Sequence, residues 1–258
     1  VPARELFQQA IALAPAFPRA HAYLALIWAV LPDYDDHPLS ESPAVLASLI
    51  ERGRFNAGFV EEAAASYQNG LELDPRSRII HQNLAMLLVV HGRFDEATIL
   101  LESLDGIAPD YWDGALTRFL LHLVRGQREA AEAAGNRLVG ILGRTRNTVP
   151  LYLDLFFAPD RRAAAAAEIL TFPRGNWWDP DNPSLIDDYI LPFTLAAAGA
   201  HEVALSALRQ SLERQMDFYP VALIRSSSLI GAFNCRDEVQ ALYAELDLPS
   251  LPDAQPCP

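Results

Sequence analysis

A period of 34 residues constrains the fold of this chain more than any other feature of the sequence. Pro75 and Pro109 are separated by one such period. The same spacing relates Ala63 to Ala97, Tyr67 to Leu101 and Gly70 to Leu104. Units of about this length are typical of helix-turn-helix repeats, in which each unit buries its apolar face against its neighbours. The period therefore predicts an all-α solenoid built from stacked helical hairpins.

Residues within one period have the properties that two closely packed antiparallel helices require. Ala85 and Ala97 are small residues at the expected crossing of the two helices, and Leu84 and Leu88 share one helix face. Gly92 is placed to end the first helix. Each period closes with a proline, which cannot continue a helix interior. We therefore predict helices at residues 77–91, 93–106, 110–125 and 127–142.

This arrangement resembles the tetratricopeptide repeat. The residues that match the family pattern are Leu84, Ala85, Ala97, Leu101 and Pro109. His81 stands where the family usually has an aromatic residue. The resemblance implies a superhelical array whose concave groove, lined mainly by the first helix of each hairpin, binds a partner. From the expected facing of those helices we predict a set of partner-binding residues: Gln82, Asn83, Met86, Val90, Asp113, Thr117 and Leu120.

The repeat register also extends towards both ends of the chain. Residues 3–15 and 18–31 repeat the pattern, but they begin in the second helix of a hairpin, so we expect a fragment of a longer protein. We divide the chain into repeats at 1–142, with an insertion at about 31–56, and degenerate hairpins at 143–258 that end in a Pro-rich tail. Towards the C-terminus, Gly199, Ala204 and Leu208 restore the spacing, and a last helix pair is predicted at about 219–231 and 235–246.

Composition restricts the function further. The net charge is −13, the 20 basic residues are all arginine, and the sequence has no lysine. Phosphate binding requires clustered basic residues, so we expect no nucleic-acid contact by this segment. Catalytic chemistries that depend on lysine are excluded. The lysine-based carboxylate clamp of some members of the resembled family is also absent, and a basic peptide or an uncharged ligand suits an acidic groove better.

Other candidate sites are weaker. Trp177 and Trp178 lie in the Pro-rich loop 173–183 and could stack on a ligand, although filling a gap between irregular repeats is the favoured alternative. Cys235 and Cys257 could form a disulfide, which would imply an oxidising compartment; two free thiols are the alternative. We identify no metal site, cofactor motif or catalytic motif, and we expect no enzyme activity.

The sequence thus favours an interaction or sensory region that binds a protein, a peptide or a small ligand. The half-repeat start, the acidic insertion and the degenerate C-terminal hairpins resemble repeat regions that follow a winged-helix or cyclase module in bacterial signalling proteins. Such a region would be periplasmic if exported, and otherwise cytoplasmic. A stand-alone cytoplasmic adaptor and an accessory domain of an enzyme remain the alternatives. No stretch is long and apolar enough to span a membrane.

Overall fold

The computed structural model describes residues 64–65, 67–72, 74–173, 179–186, 190–213, 224–225 and 227–245. All regular secondary structure among these residues is helical, as the sequence predicted. The repeat pattern at residues 3–15 and 18–31 and the predicted insertion at about 31–56 lie outside the described residues. None of the described helices is long and apolar enough to cross a membrane.

Consecutive helices pair into hairpins along the described part of the chain. The hairpins are α1 (Arg78–Val90) with α2 (Phe94–Ile107), α3 (Trp112–Val124) with α4 (Arg128–Leu142), α5 (Val149–Phe157) with α6 (Arg162–Leu170), and α7 (Leu191–Ala197) with α8 (His201–Glu213). A 3-10 turn at Ser228–Ile230 and two helices, α9 (Gly231–Asn234) and α10 (Asp237–Glu245), follow. The predicted boundaries of the first two hairpins agree with the structure to within a few residues.

Left-handed glycines make the turns of three of these hairpins. Gly92, Gly126 and Gly199 have φ angles of 75°, 77° and 82°. Beyond Gly92, the amide of Arg93 donates to the carbonyl of Leu88 at 2.8 Å and so reaches back into the last turn of α1. Other residue types are strained at such φ values, which is why glycine recurs at this place in the period.

His81 occupies the position where an aromatic residue was expected, and it is buried. Its Nδ1 lies 2.9 Å from the Ser77 carbonyl oxygen, which can only accept, so Nδ1 carries the proton. The Nε2 atom then accepts from the Ser103 hydroxyl at 3.1 Å. His81 therefore ties the first turn of α1 to α2 through hydrogen bonds, whereas an aromatic ring would join them by packing alone.

Gly135 in α4 makes a close approach that its position in the period did not predict. A Cβ atom at this residue would lie 2.8 Å from Cε2 of Phe119 and 2.8 Å from Cγ2 of Val149. The helices α3, α4 and α5 meet at this point. The departure from the usual bulky residue is therefore a packing requirement, because any side chain larger than hydrogen would displace both neighbours.

The first and second helices of the hairpins differ in burial. Every residue from Leu84 to Val90 of α1 is buried, and so is every residue from Leu191 to Ala196 of α7. In α2, by contrast, the buried residues are Ala97, Leu101 and Leu104, which share one face. The first helices α1, α3, α5 and α7, here called the inner helices, therefore lie inside, and the second helices cover them with one apolar face each.

The predicted helix at about 219–231 is not continuous. Residues 224–225 are helical, but Ser227 has an extended backbone with φ −78° and ψ 124°. The Ser227 Oγ accepts from the Leu229 amide at 3.2 Å, and a short 3-10 turn follows. A serine side chain that satisfies a nearby backbone amide competes with helix formation. The last predicted helix, 235–246, corresponds to α10.

Candidate functional site

A polar cluster joins the N-terminal halves of the inner helices α1 and α3. The side-chain amide of Gln82 donates to Oδ1 of Asp113 at 3.1 Å and lies 3.5 Å from the Thr117 hydroxyl. That hydroxyl in turn donates to the backbone carbonyl of Asp113 at 2.8 Å. The structure thus brings together three of the residues that the sequence assigned to the groove.

Tyr111 and Arg78 extend this cluster towards solvent. Tyr111 lies close to the charge of Asp113, and the Arg78 guanidinium lies 5.1 Å from the centre of the tyrosine ring. Burial raises the pKa of Tyr111, and the charge of Asp113 raises it further. The phenol is therefore held neutral beside the carboxylate. We call Arg78, Gln82, Tyr111, Asp113 and Thr117 the inner polar cluster.

Access to the cluster is partial. Asp113 and Asn83 are half-buried, whereas Gln82 and Thr117 are buried. The Asp113 carboxylate accepts from the Gln82 amide and is partly accessible to solvent between α1 and α3.

The apolar residues assigned to the groove have a different environment. Met86, Val90 and Leu120 are buried in the structure, and all three belong to the continuous hydrophobic core. Their side chains contact a partner only if the part of the chain that covers them moves. Their partner-binding role stays a prediction, as does that of Asn83.

The C-terminal end of α1 is covered by a segment more than a hundred residues away in sequence. The Ser227 hydroxyl donates to the carbonyl of Val90 at 2.7 Å, and a Cβ atom at Gly92 would lie 3.2 Å from Cδ2 of Leu229. This carbonyl belongs to the last turn of α1, where helix carbonyls lack partners within the helix. We call residues 224–225 and 227–230 the strap.

Four strap residues are buried. Ile224, Ser227 and Ile230 lie at a spacing of three residues, and Arg225 is buried as well, whereas Leu229 is 37% exposed. The 3-10 turn also packs against α7. The strap therefore bridges α1 and α7, two inner helices that belong to different hairpins.

A buried hydrogen-bond network joins the strap to the last helices. The side-chain amide of Asn234 donates to the Ile224 carbonyl at 3.0 Å and accepts from the Tyr243 hydroxyl at 2.9 Å. The Arg225 guanidinium lies 5.3 Å from the centre of the Tyr243 ring. Burial raises the pKa of Tyr243 and lowers that of Arg225. The strap is thus fixed to the C-terminal helices by polar contacts that need no bulk water.

Sequence reasoning missed the strap. The run Ser226, Ser227 and Ser228 falls inside the helix predicted at about 219–231 and carries no catalytic motif. Serine is a weak former of helix interiors because its hydroxyl competes for backbone groups. Three consecutive serines inside a predicted helix were therefore the signal for a break, although not for its contact with α1.

Trp177 and Trp178 lie outside the described residues, so their role stays a prediction. The adjoining residues 179–186 pack against the chain that leads into α5. The Thr148 hydroxyl donates to the Pro183 carbonyl at 2.7 Å, and the Leu185 amide donates to the Tyr152 hydroxyl at 3.3 Å. This part of the loop is therefore held against the start of α5.

Cys235 is a disulfide cysteine in the structure and not a free thiol. Its predicted partner, Cys257, lies outside the described residues, so the pairing of these two cysteines stays a prediction. Within the described ranges, no three His, Cys, Asp or Glu side chains group in a way that could hold a metal ion.

Comparison with known families agrees with the period in the sequence. A family model described as tetratricopeptide repeat matches residues 55–119. These residues belong to the tetratricopeptide repeat family. The matched range includes the tetratricopeptide hairpin α1–α2 and the first part of α3, and thus the inner polar cluster. No curated protein matches the chain. Tetratricopeptide repeats generally mediate protein–protein interaction.

Proposed function

We propose that the chain is the interaction region of a larger bacterial signalling or regulatory protein, and that it binds a protein or peptide partner at its inner helices. The observation that carries this proposal is the inner polar cluster within the matched repeats. It presents a half-buried carboxylate, Asp113, and the next residue of α1 after Gln82 is a half-buried amide, Asn83. Buried or half-buried polar groups of this kind give orientation and specificity to a binding site.

The chemistry of the cluster favours a partner that donates hydrogen bonds. Asp113 accepts from Gln82, and a partner's arginine or backbone amide would be a further donor to the same carboxylate. The net charge of −13 attracts a basic partner during diffusional encounter. We therefore expect a basic or uncharged peptide segment. The cluster acts in recognition, and we propose no catalytic step for it.

Site-specific photo-crosslinking tests this proposal. A benzophenone amino acid replaces Asn83 in the full chain, which is then irradiated in extract of the source cells. We expect one protein to be captured, and we expect Asp113→Asn to reduce its capture, since the substitution removes the charge at nearly constant size. The matched control places the same amino acid at Ile99, which is 67% exposed on α2. Equal capture at both positions would contradict the proposal.

The signalling context is a separate part of the proposal, supported by the resemblance noted in the sequence. The coding sequence upstream of Val1 tests it. An output module such as a winged helix, followed by about twenty apolar residues, would support an exported sensory region. A single amphipathic helix that completes the first hairpin would instead favour a stand-alone adaptor.

A further inference from the structure

An exposed serine of α2 is hydrogen-bonded to the buried histidine of α1. The Ser103 hydroxyl donates to Nε2 of His81 at 3.1 Å, and Ser103 itself is exposed to solvent. Nδ1 of His81 lies 2.9 Å from the Ser77 carbonyl oxygen, which holds the proton on that nitrogen. His81 is 4% exposed, so its ring has little freedom to turn away from either partner. The three groups form a chain of hydrogen bonds that ends at an accessible hydroxyl.

This chain of groups has the geometry of an activated nucleophile. A serine hydroxyl is a weak nucleophile by itself, and it gains reactivity when a base within hydrogen-bond distance takes its proton. In its tautomer, the His81 imidazole presents the lone pair of Nε2 to the Ser103 proton. The Ser77 carbonyl fixes both that tautomer and the orientation of the ring. A buried base therefore prepares an exposed oxygen for attack on an electrophile.

The surface around Ser103 is open on one side and apolar on the other. Gly106 lies three residues later on the same face of α2, and a Cβ atom there would meet nothing within 4 Å. Ile99 lies four residues earlier on that face and is 67% exposed, so a hydrocarbon group attached at Ser103 would cover part of it. The exposed carboxylate of Glu102, the preceding residue, disfavours an anionic electrophile such as a phosphate ester. The surroundings therefore favour an aliphatic group.

The position of Ser103 within a helix decides between a single acylation and repeated turnover. Ser103 lies in the interior of α2, where backbone amides donate to carbonyls four residues earlier. Those amides are not available to stabilise the oxyanion of a tetrahedral intermediate, which is a large part of the catalysis of acyl transfer. We therefore expect one slow acylation per chain.

We propose that Ser103 is a modification site that accepts an aliphatic acyl group from an activated ester. The Ser103 oxygen attacks the carbonyl carbon while its proton passes to Nε2 of His81. The bond between that carbon and the leaving oxygen then breaks, and the leaving group takes up the proton from His81. The products are a serine ester and the free alcohol of the donor. The ester oxygen no longer donates to His81, so acylation removes one link between α1 and α2.

The test incubates the full chain with p-nitrophenyl butyrate, and mass spectrometry of the tryptic peptides locates the acyl group. The chain has no lysine, so acyl groups do not accumulate on lysine side chains. The internal control is Ser228, which is exposed in the 3-10 turn and lies in the peptide of residues 226–236. We expect Ser103, in the peptide of residues 94–118, to react roughly a hundredfold faster than Ser228. Equal rates at the two serines would overturn the proposal.

Substitution of the base separates reactivity from exposure. His81→Phe places an aromatic ring where the repeat family usually has one, so the packing of α1 against α2 is retained while the base is lost. We expect acylation of Ser103 to slow roughly a hundredfold, which is the lower end of what a positioned base contributes. Circular dichroism verifies that the variant is folded. A folded variant that is acylated at the wild-type rate would overturn the proposal.

A comparison within the wild type is decisive even if His81→Phe does not fold. Unfolding in urea separates Ser103 from His81, so the excess of its acylation rate over that of Ser228 should disappear. An excess that persists in the unfolded chain would come from the local sequence and would overturn the role of His81.

Chain length tests the class of acyl group. Relative to Ser228, Ser103 should favour the butyryl over the acetyl ester by roughly twofold per added methylene, about half of the free energy of full burial. Ile99→Ser should abolish this preference, and an unchanged preference would overturn the role of Ile99. Release of nitrophenol beyond one equivalent per chain would overturn the assignment of a single acylation. The inference is independent of the proposed partner site, because Ser103 lies on a second helix.

Discussion

Single residues explain why some features of this chain were predictable and others were not. Gly92, Gly126 and Gly199 end helices at equivalent positions, and their left-handed φ angles are a local requirement visible in the sequence. The role of Gly135 is not local, since it depends on Phe119 and Val149 of two other helices. The helix break at Ser227 was predictable only in part. The serine run indicates a break, but the sequence does not show the contact of Ser227 with Val90.

Gly135 gives a prediction about packing. Gly135→Ala places a methyl group 2.8 Å from the nearest atoms of Phe119 and Val149, so we expect a loss of about 1–3 kcal/mol in the free energy of unfolding. The control is Gly140→Ala in the same helix, where a Cβ atom would meet nothing within 4 Å. Alanine favours helix over glycine, so this variant should gain up to about 1 kcal/mol. Urea unfolding measures both, and equal effects would contradict the packing account.

His201 gives a prediction about pH. Burial lowers its pKa, and the nearby charges of Arg236 and Arg162 lower it further. Between about pH 7 and pH 5 the unfolded chain therefore binds a proton at this residue more readily than the folded chain, and the folded state loses stability as the pH falls. His201→Gln removes the effect. The wild type should lose more stability than this variant on acidification, measured by urea midpoints at both pH values. If the difference in urea midpoint between the wild type and His201→Gln is the same at both pH values, the role of His201 is contradicted.

The 34-residue period predicts the helices better than it predicts the segments that connect them. Amphipathic second helices such as α2 bury one face of small and aliphatic residues, and that pattern has a local signature in the sequence. Residues 179–186 and the strap have no such periodicity. Each of the two segments is held by hydrogen bonds between residues far apart in sequence, such as the bond from the Thr148 hydroxyl to the Pro183 carbonyl. The spacing of residues in the sequence does not predict such pairs.

One ion-pair arrangement joins three helices and can be tested at this scale. Asp105 of α2 lies 2.7 Å from Nη2 of Arg118 in α3 and 3.3 Å from Nη1 of Arg137 in α4. Because the carboxylate is 40% exposed, we expect Asp105→Asn to cost no more than about 1 kcal/mol, and less in high salt. Asp110→Asn is the control, since Asp110 makes no ion pair with any described residue. A decrease of several kcal/mol in the free energy of unfolding of Asp105→Asn that does not change with salt would contradict this expectation.

The sequence and the structure agree on stacked helical hairpins, and residues 55–119 match the tetratricopeptide repeat. The binding role of the inner face stays a prediction. The period predicted a groove lined by Met86, Val90 and Leu120, because helix facing can be inferred from spacing. The structure buries these residues. The strap returns over a long stretch of chain to reach α1, and a contact between residues so far apart has no signature in a repeat pattern. The inner polar cluster was predicted in part, through Gln82, Asp113 and Thr117.

The contact between the strap and α1 is therefore the central claim, and one crosslinking experiment tests it most directly. A benzophenone amino acid at Leu229 of the full chain is irradiated, and the tryptic peptides are analysed by mass spectrometry. We expect a crosslink within the chain to the peptide of residues 79–93, which contains Val90 and Gly92. A benzophenone at the exposed residue Ile99 should give no crosslink to the tryptic peptides of residues 215–225 and 226–236, which together carry the strap. If Leu229 crosslinks elsewhere and never to residues 79–93, the inner face is not filled by the strap and the account is wrong.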